Sequence, residues 1–217
     1  MSTPAQADSE LSPKKVPIYK NIYVLVFIVA AVVLTLMRPF LRRVPEAPPS
    51  LGALPEFQLQ NQEGVSFGKK ELLGHVHVVS FIFTQCETAC PLISARMAEL
   101  QKKFQDENLP IRLLSLSVDP EADTPEKLKS YGEKFNADFN RWSFVTGERG
   151  KIVALLEEGF RLPVGDKVPK GPLYDIAHSA KFTLIDAKGE LRGYYDATEV
   201  GVDEIFHRSQ HVLSLKD

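Results

Sequence analysis

The sequence predicts an α/β domain built on a central, mostly parallel sheet flanked by helices and preceded by one N-terminal transmembrane helix. Three observations lead there. Apolar runs rich in β-branched and aromatic residues alternate with segments whose apolar residues recur at helical spacing, the pattern of strands joined by crossover helices. An uncharged apolar run, Ile22 to Met37, stands ahead of all of them. The only two cysteines, Cys86 and Cys90, lie between a predicted strand and a predicted helix, with Pro91 directly behind. Sheets of this class hold their ligands beyond the carboxyl ends of the strands.

Residues 1–21 are polar and rich in Ser, Pro and Lys, and are expected to form a disordered tail. Residues 22–41 read as a transmembrane anchor: Phe40 and Leu41 extend the apolar run if Arg38 snorkels, reaching the ~20 residues a span requires. No small-x-small cleavage site follows the run, which argues against a removed signal peptide. Lys14, Lys15 and Lys20 before it balance Arg38, Arg42 and Arg43 after it, so charge alone does not orient the span. Residues 42–53 form a Pro-rich linker, stiff enough to hold a domain off a bilayer. Residues 54–217 remain for one domain with its own core. The net charge of -2 offers no broad basic face, and no nucleic-acid partner is expected.

Within the domain, "FQLQNQEGVSF" predicts two short strands around a turn at Gly64. "HVHVVSFIFT", ending at Thr84, is nearly continuous in apolar residues and suits a central strand covered on both faces. After the cysteines, Ile93, Met97, Leu100 and Phe104 make one helical stripe. "IRLLSLSV" is a second buried strand, and "DTPEKLKSYGEKF" opens a helix with Thr124 as N-cap and Pro125 at its first position. "RWSFVTG" and "GKIVALLEEGF" add a strand and a helix. "RLPVGDKVPKGPLYDIAHS" has no helical period and reads as a long loop or hairpin. "KFTLIDAKGELRGYYD" turns at Lys188-Gly189, and a last helix faces Ile205, Phe206, Val212 and Leu213 inward. This order matches a thioredoxin-like fold.

Pro91 is expected at the first helical position, which makes Cys90 the N-cap and leaves Cys86 in the preceding loop. Both thiols then face the positive end of a helix, which favours thiolate. A purely structural disulfide across so short a loop would gain little entropy. Redox and metal chemistry both remain open. Two thiolates select Cu(I), or Zn with further partners, and an imidazole adds affinity for Cu(II). Of the five histidines, His178 lies on the Gly/Pro-rich segment and can reach the cysteines. His75 and His77 are expected at the opposite end of the sheet. His207 and His211 lie four apart on the last helix and read as a surface pair. Met1, Met37 and Met97 cannot form a methionine cluster.

"FIFTQCETACPL", "LSLSVDPEADTPEKLKSYGEKF", "WSFVTG" and "YDIAHSAKFTLIDAKGEL" together resemble the Sco/SenC family of membrane-anchored copper proteins, over nearly the whole domain. The resemblance implies a thioredoxin-like copper-binding domain at 54–217, held outside the cytoplasm by one N-terminal helix. That side is the periplasm in a bacterium or the intermembrane space in a mitochondrion. It implies a metallochaperone rather than an enzyme, assisting assembly of the CuA centre of cytochrome c oxidase. It also implies copper, Cu(I) or Cu(II), on Cys86, Cys90 and His178. The implied partners are the copper-containing oxidase subunit and other copper chaperones or thiol reductases. The alternative is a thiol-disulfide reductase that uses Cys86 and Cys90 as a redox pair to keep the oxidase's copper-site cysteines reduced. Asp119 falls on a family acidic position near the site. Glu87 stands where many members carry proline, and its charge is expected to raise a neighbouring thiol pKa.

Overall fold

The computed structural model describes residues 22–41, 47–87, 89–170 and 173–215, with the backbone alone for 38–41 and 173. The expected tail at 1–21 and linker residues 42–46 lie outside the described residues. The chain divides into two compact units, Met1–Pro45 and Glu46–Asp217.

The first unit contains helix α1, Ile22–Leu41, within the bounds expected of the anchor. Its side chains from Ile22 to Met37 are nearly all exposed, as for Tyr23 and Phe27. Among the described residues, no helix is long and apolar enough to cross a membrane. The apolar run described ends at Met37 and rises about 24 Å at 1.5 Å per residue, short of the ~30 Å hydrocarbon thickness. The expected span is corrected to that extent: the helix is present, and its described apolar run is too short to cross a membrane.

In the second unit the strands are β1 Gly52–Ala53, β2 Gln58–Asn61, β3 Ser66–Gly68, β4 His77–Ile82, β5 Arg112–Ser117, β6 Trp142–Thr146, β7 Lys167–Lys170, β8 Leu173–Ile176, β9 Lys181–Ile185 and β10 Glu190–Asp196. The helices are α2 Lys69–Leu72, α3 Ala89–Asp106, α4 Pro125–Lys134, α5 Arg149–Ala154, which runs into a π-helical turn at Leu155–Gly159, and α6 Glu199–Leu213. Eight strands form one sheet in the order β1-β10-β9-β4-β5-β6-β2-β3, while β7 and β8 pair only with each other.

The sheet is mixed, which corrects the expectation of a mostly parallel one. Only β4–β5 and β5–β6 are parallel, and every other pairing is antiparallel. The reason is connectivity. α3 and α4 are long enough to return the chain for parallel pairing, whereas the hairpins β2–β3 and β9–β10 are antiparallel by construction and extend the sheet on both sides. Their tight turns use Gly64 (φ 72°) and Gly189 (φ 75°), left-handed conformations that glycine adopts without strain.

β4 is buried at every position, as its apolar run predicts. The α3 stripe of Ile93, Met97, Leu100 and Phe104 packs into the core, where Phe104 stacks on Phe206 of α6. Ile205, Phe206 and Val212 are buried on α6, and Leu213 packs half-buried at its end. Thr124 caps α4 by accepting the Lys127 amide, with Pro125 directly behind. Part of the expected linker joins this unit: β1 pairs with β10, and Arg192 Nη1 donates to the Pro48 carbonyl at 3.1 Å.

Candidate functional site

β4 delivers the chain to Phe83 and Thr84 at the carboxyl edge of the sheet, and the cysteine loop follows. Thr84 is tied to Asp123, a carboxylate with no exposure: its hydroxyl donates to Oδ1 at 2.6 Å and its amide to both oxygens at 3.2 Å. Ser117, at the end of β5, donates to the same carboxylate at 2.6 Å. Three donors therefore hold Asp123 in place, and Asp123 clamps the loop that carries Cys86 to the end of β5. Burial, opposed by these hydrogen bonds, raises the Asp123 pKa.

α3 begins at Ala89, so Cys90 is its second residue rather than the expected N-cap. Pro91 is accommodated in the first turn because the opening amides of a helix have no intrahelical acceptor. One of those amides, that of Cys90, donates to Cys86 Sγ at 3.4 Å, so the first cysteine covers the start of the helix that carries the second. The two thiols are not joined by a disulfide; Cys90 is fully buried and Cys86 is 8% exposed. The expected thiolate character is corrected for Cys90. Burial pushes its thiol pKa well up, with the Cys86 thiol and the Asp123 charge adding to the rise. The carboxylate acting on Cys90 is that of Asp123, not Glu87.

His178 reaches this pair from the far side. It follows β8, and its Nε2 lies 3.8 Å from Cys90 Sγ. Nδ1 sits 2.7 Å from the Ile176 carbonyl, which can only accept, so Nδ1 donates there and Nε2 is the ring nitrogen that faces the sulfur. Phe83 meets the imidazole edge to face at 5.6 Å and stacks on Tyr174 at 6.0 Å. A cavity of about 150 Å³ opens beside Cys86, lined by Phe83, Glu87, Lys170, Tyr174 and Asp175 among others.

Cys86, Cys90 and His178 are thus brought to one place. Among the described residues, however, no three His, Cys, Asp or Glu side chains are grouped tightly enough to hold a metal ion as placed. Their chemistry suits a soft ion: two sulfurs and an imidazole whose Nε2 faces Cys90. The other histidines lie elsewhere. His77 is buried at the start of β4 with His75 beside it. His207 is exposed and faces Asp203 at 3.8 Å, whereas His211 is half-buried, a correction to the expected surface pair. Asp123, Thr84 and Tyr174 were not legible as site residues. Asp123 follows Asp119 in "VDPEAD", but nothing in that spacing tells which acid turns toward the cysteine loop.

Comparison with known proteins identifies the relatives of the chain. Residues 47–214 match the model of the SCO1/SenC family. The chain is 35% identical over 162 residues to the SCO1 protein homolog of Bacillus subtilis, covering 74% of this chain and 82% of that protein. Among solved structures, BsSco, described as a member of the Sco family of cytochrome c oxidase assembly proteins, superposes with a TM-score of 0.70 at 31% identity, over 79% of this chain and 100% of that one. A SCO1/SenC family lipoprotein from Bacillus anthracis gives 0.69 at 35%, over 75% and 96%. Yeast Sco1 with copper bound gives 0.64 at 27%, over 77% and 91%. With its thioredoxin-like order of elements and this match over residues 47–214, the chain belongs to the SCO1/SenC family.

Proposed function

We propose that this protein is a copper metallochaperone that holds copper on Cys86, Cys90 and His178 and delivers it for assembly of the CuA centre of a cytochrome c oxidase. The observation that carries this reading is the His178 imidazole, which donates from Nδ1 to the Ile176 carbonyl, with Nε2 3.8 Å from Cys90 Sγ. A dithiol reductase can work with the two sulfurs alone, whereas a copper site gains a third donor from an imidazole nitrogen directed at them. The copper-bound yeast relative supports the cargo, and the naming of BsSco among oxidase assembly proteins supports the destination.

Cargo transfer assigns each donor a part. The sulfurs, on the loop and first turn of α3, are fixed to the sheet through Thr84 and Asp123. They retain Cu(I) by themselves, whereas Cu(II) calls on the imidazole as well. His178 sits after a hairpin outside the main sheet, so it can withdraw while the acceptor subunit's ligands take the ion. The two unbridged cysteines also permit the rival reading, a reductase that exchanges its dithiol for the acceptor's disulfide, leaving the acceptor with two thiols and Cys86 and Cys90 joined. The lipoprotein relative supports placement of the domain outside the cytoplasm, periplasmic in a bacterium. The apolar side chains exposed around α1 suit seating in lipid, which resistance to carbonate extraction tests.

Copper titration of the reduced protein separates the two readings. One ion per chain is expected, with sulfur-to-copper charge-transfer absorption. His178→Ala is expected to weaken Cu(II) binding strongly and Cu(I) binding less, and to lose oxidase activity in cells at limiting copper. Full oxidase activity in that variant, with loss only in cysteine variants, would replace the chaperone by the reductase.

A further inference from the structure

The β7–β8 hairpin makes no backbone ladder with the eight-stranded sheet, yet it presents His178 to the cysteines. Something other than strand pairing must hold it, and the side chains point to Asp119. This residue follows β5 in the loop toward α4 and has no solvent exposure. Both its oxygens are engaged by the hairpin. Oδ1 takes Lys167 Nζ at 2.7 Å, and Oδ2 accepts the Tyr174 hydroxyl. Lys167 lies on β7 and Tyr174 on β8, so one carboxylate grips both strands.

The grip is reinforced. Lys167 Nζ lies 5.0 Å from the Tyr174 ring centroid, a cation–π distance, and 2.9 Å from Glu121. The Tyr174 ring stacks on Phe83, which in turn meets the His178 ring. Two residues beyond Tyr174, the Ile176 carbonyl accepts a hydrogen bond from His178 Nδ1. A continuous set of contacts therefore runs from a buried carboxylate on the sheet, through the hairpin, to the imidazole.

We propose that Asp119 is a positioning residue for His178: with Lys167 and Tyr174 it latches the β7–β8 hairpin onto the end of β5 and so sets the imidazole beside Cys90. With its two oxygens committed to the hairpin, Asp119 acts through His178 and does not bind the ion. The proposal deepens the three-donor reading and rests on it.

The test uses the full-length, reduced chain as Asp119→Asn, Tyr174→Phe, His178→Ala and the double variant Asp119→Asn with His178→Ala. Tyr174→Phe keeps the ring on Phe83 and removes only the hydroxyl, so it carries the test if Asp119→Asn fails to fold. Amide exchange without metal comes first. Each latch variant is expected to speed exchange across residues 167–176 by about tenfold or more, with β4 and β5 at their original rates. Cu(II) titration follows, read by affinity and by nitrogen coupling in spin resonance. The latch variants are expected to weaken Cu(II) about 10- to 100-fold with loss of nitrogen coupling, and to hold Cu(I) as the parent does. In the His178→Ala background, Asp119→Asn is expected to cost no further Cu(II) affinity. Unchanged hairpin exchange in both latch variants overturns the proposal. So does a full additional loss in the double variant, which would place Asp119 on the ion itself. Parental Cu(II) affinity in His178→Ala sinks the three-donor reading instead, and the exchange result alone then decides the latch.

Discussion

Replacing His77 by Gln should flatten the acid sensitivity of the folded domain. His77 opens β4, is 2% exposed, and has Nδ1 at 3.0 Å from the His75 carbonyl. Burial, with smaller contributions from the Arg112 and His75 charges, lowers its pKa to about 3, although the hydrogen bond to His75 pulls the other way. The unfolded chain titrates near the ordinary 6.5. Between pH 6.5 and about 3, therefore, the unfolded chain binds a proton that the folded chain refuses, and stability falls as pH falls through that window. Well above 6.5 this residue has no effect on the pH slope. At ~1.36 kcal/mol per pH unit, lowering the pH to about 5 removes roughly 2 kcal/mol. That figure depends on the unfolded pKa alone as long as the folded value stays well below 5. Gln retains an amide that can donate to the His75 carbonyl and does not titrate. Urea unfolding of the Glu46–Asp217 unit, with reductant and chelator, at about pH 7.5 and pH 5 provides the comparison. The parent should lose roughly 2 kcal/mol more than His77→Gln over that interval. Parallel losses, within about 0.5 kcal/mol, would mean that His77 takes up a proton in the fold and that the argument from burial is wrong.

Other changes bear on the site and its frame. Cys86→Ala and Cys90→Ala should each abolish tight copper binding, and stoichiometric copper at parental affinity in either would end the two-sulfur reading. Thr84→Val removes a 2.6 Å donor to buried Asp123. It should cost ~1.5–3 kcal/mol and speed alkylation of Cys86, as chemical unfolding and thiol-labelling rates would show. Gly201→Ala should cost about 3 kcal/mol or more, because the added Cβ would run into the Asp196 backbone carbonyl, which cannot swing aside. A melting temperature close to the parent's would show that the start of α6 can shift.

The features that the sequence determined by itself are local ones. Thr124-Pro125 starts α4 because a side-chain oxygen and a missing amide act within one turn of chain. Gly64 and Gly189 mark turns because few other residues accept their dihedrals. The unbroken apolar run of β4 announces a strand covered on both faces. The cysteine pair ahead of Pro91 marks the candidate site, since the end of a buried strand and the start of a helix are both written in adjacent residues. Tertiary structure decided the rest. Strand direction at the sheet margins depends on where the hairpins dock, and neither composition nor periodicity encodes that. The state of Cys90 depends on burial and on Asp123, which no local spacing connects to it. The choice between Asp119 and Asp123 is of the same kind. The two acids stand four apart in one loop, yet one turns to Thr84 and the other to Lys167 and Tyr174. His178 meets Cys90 across 88 positions of sequence only because a separate hairpin is held in place by buried charge. Such contacts join segments far apart in sequence, and their energy comes from exclusion of water at that junction, a property that no single stretch of residues carries alone.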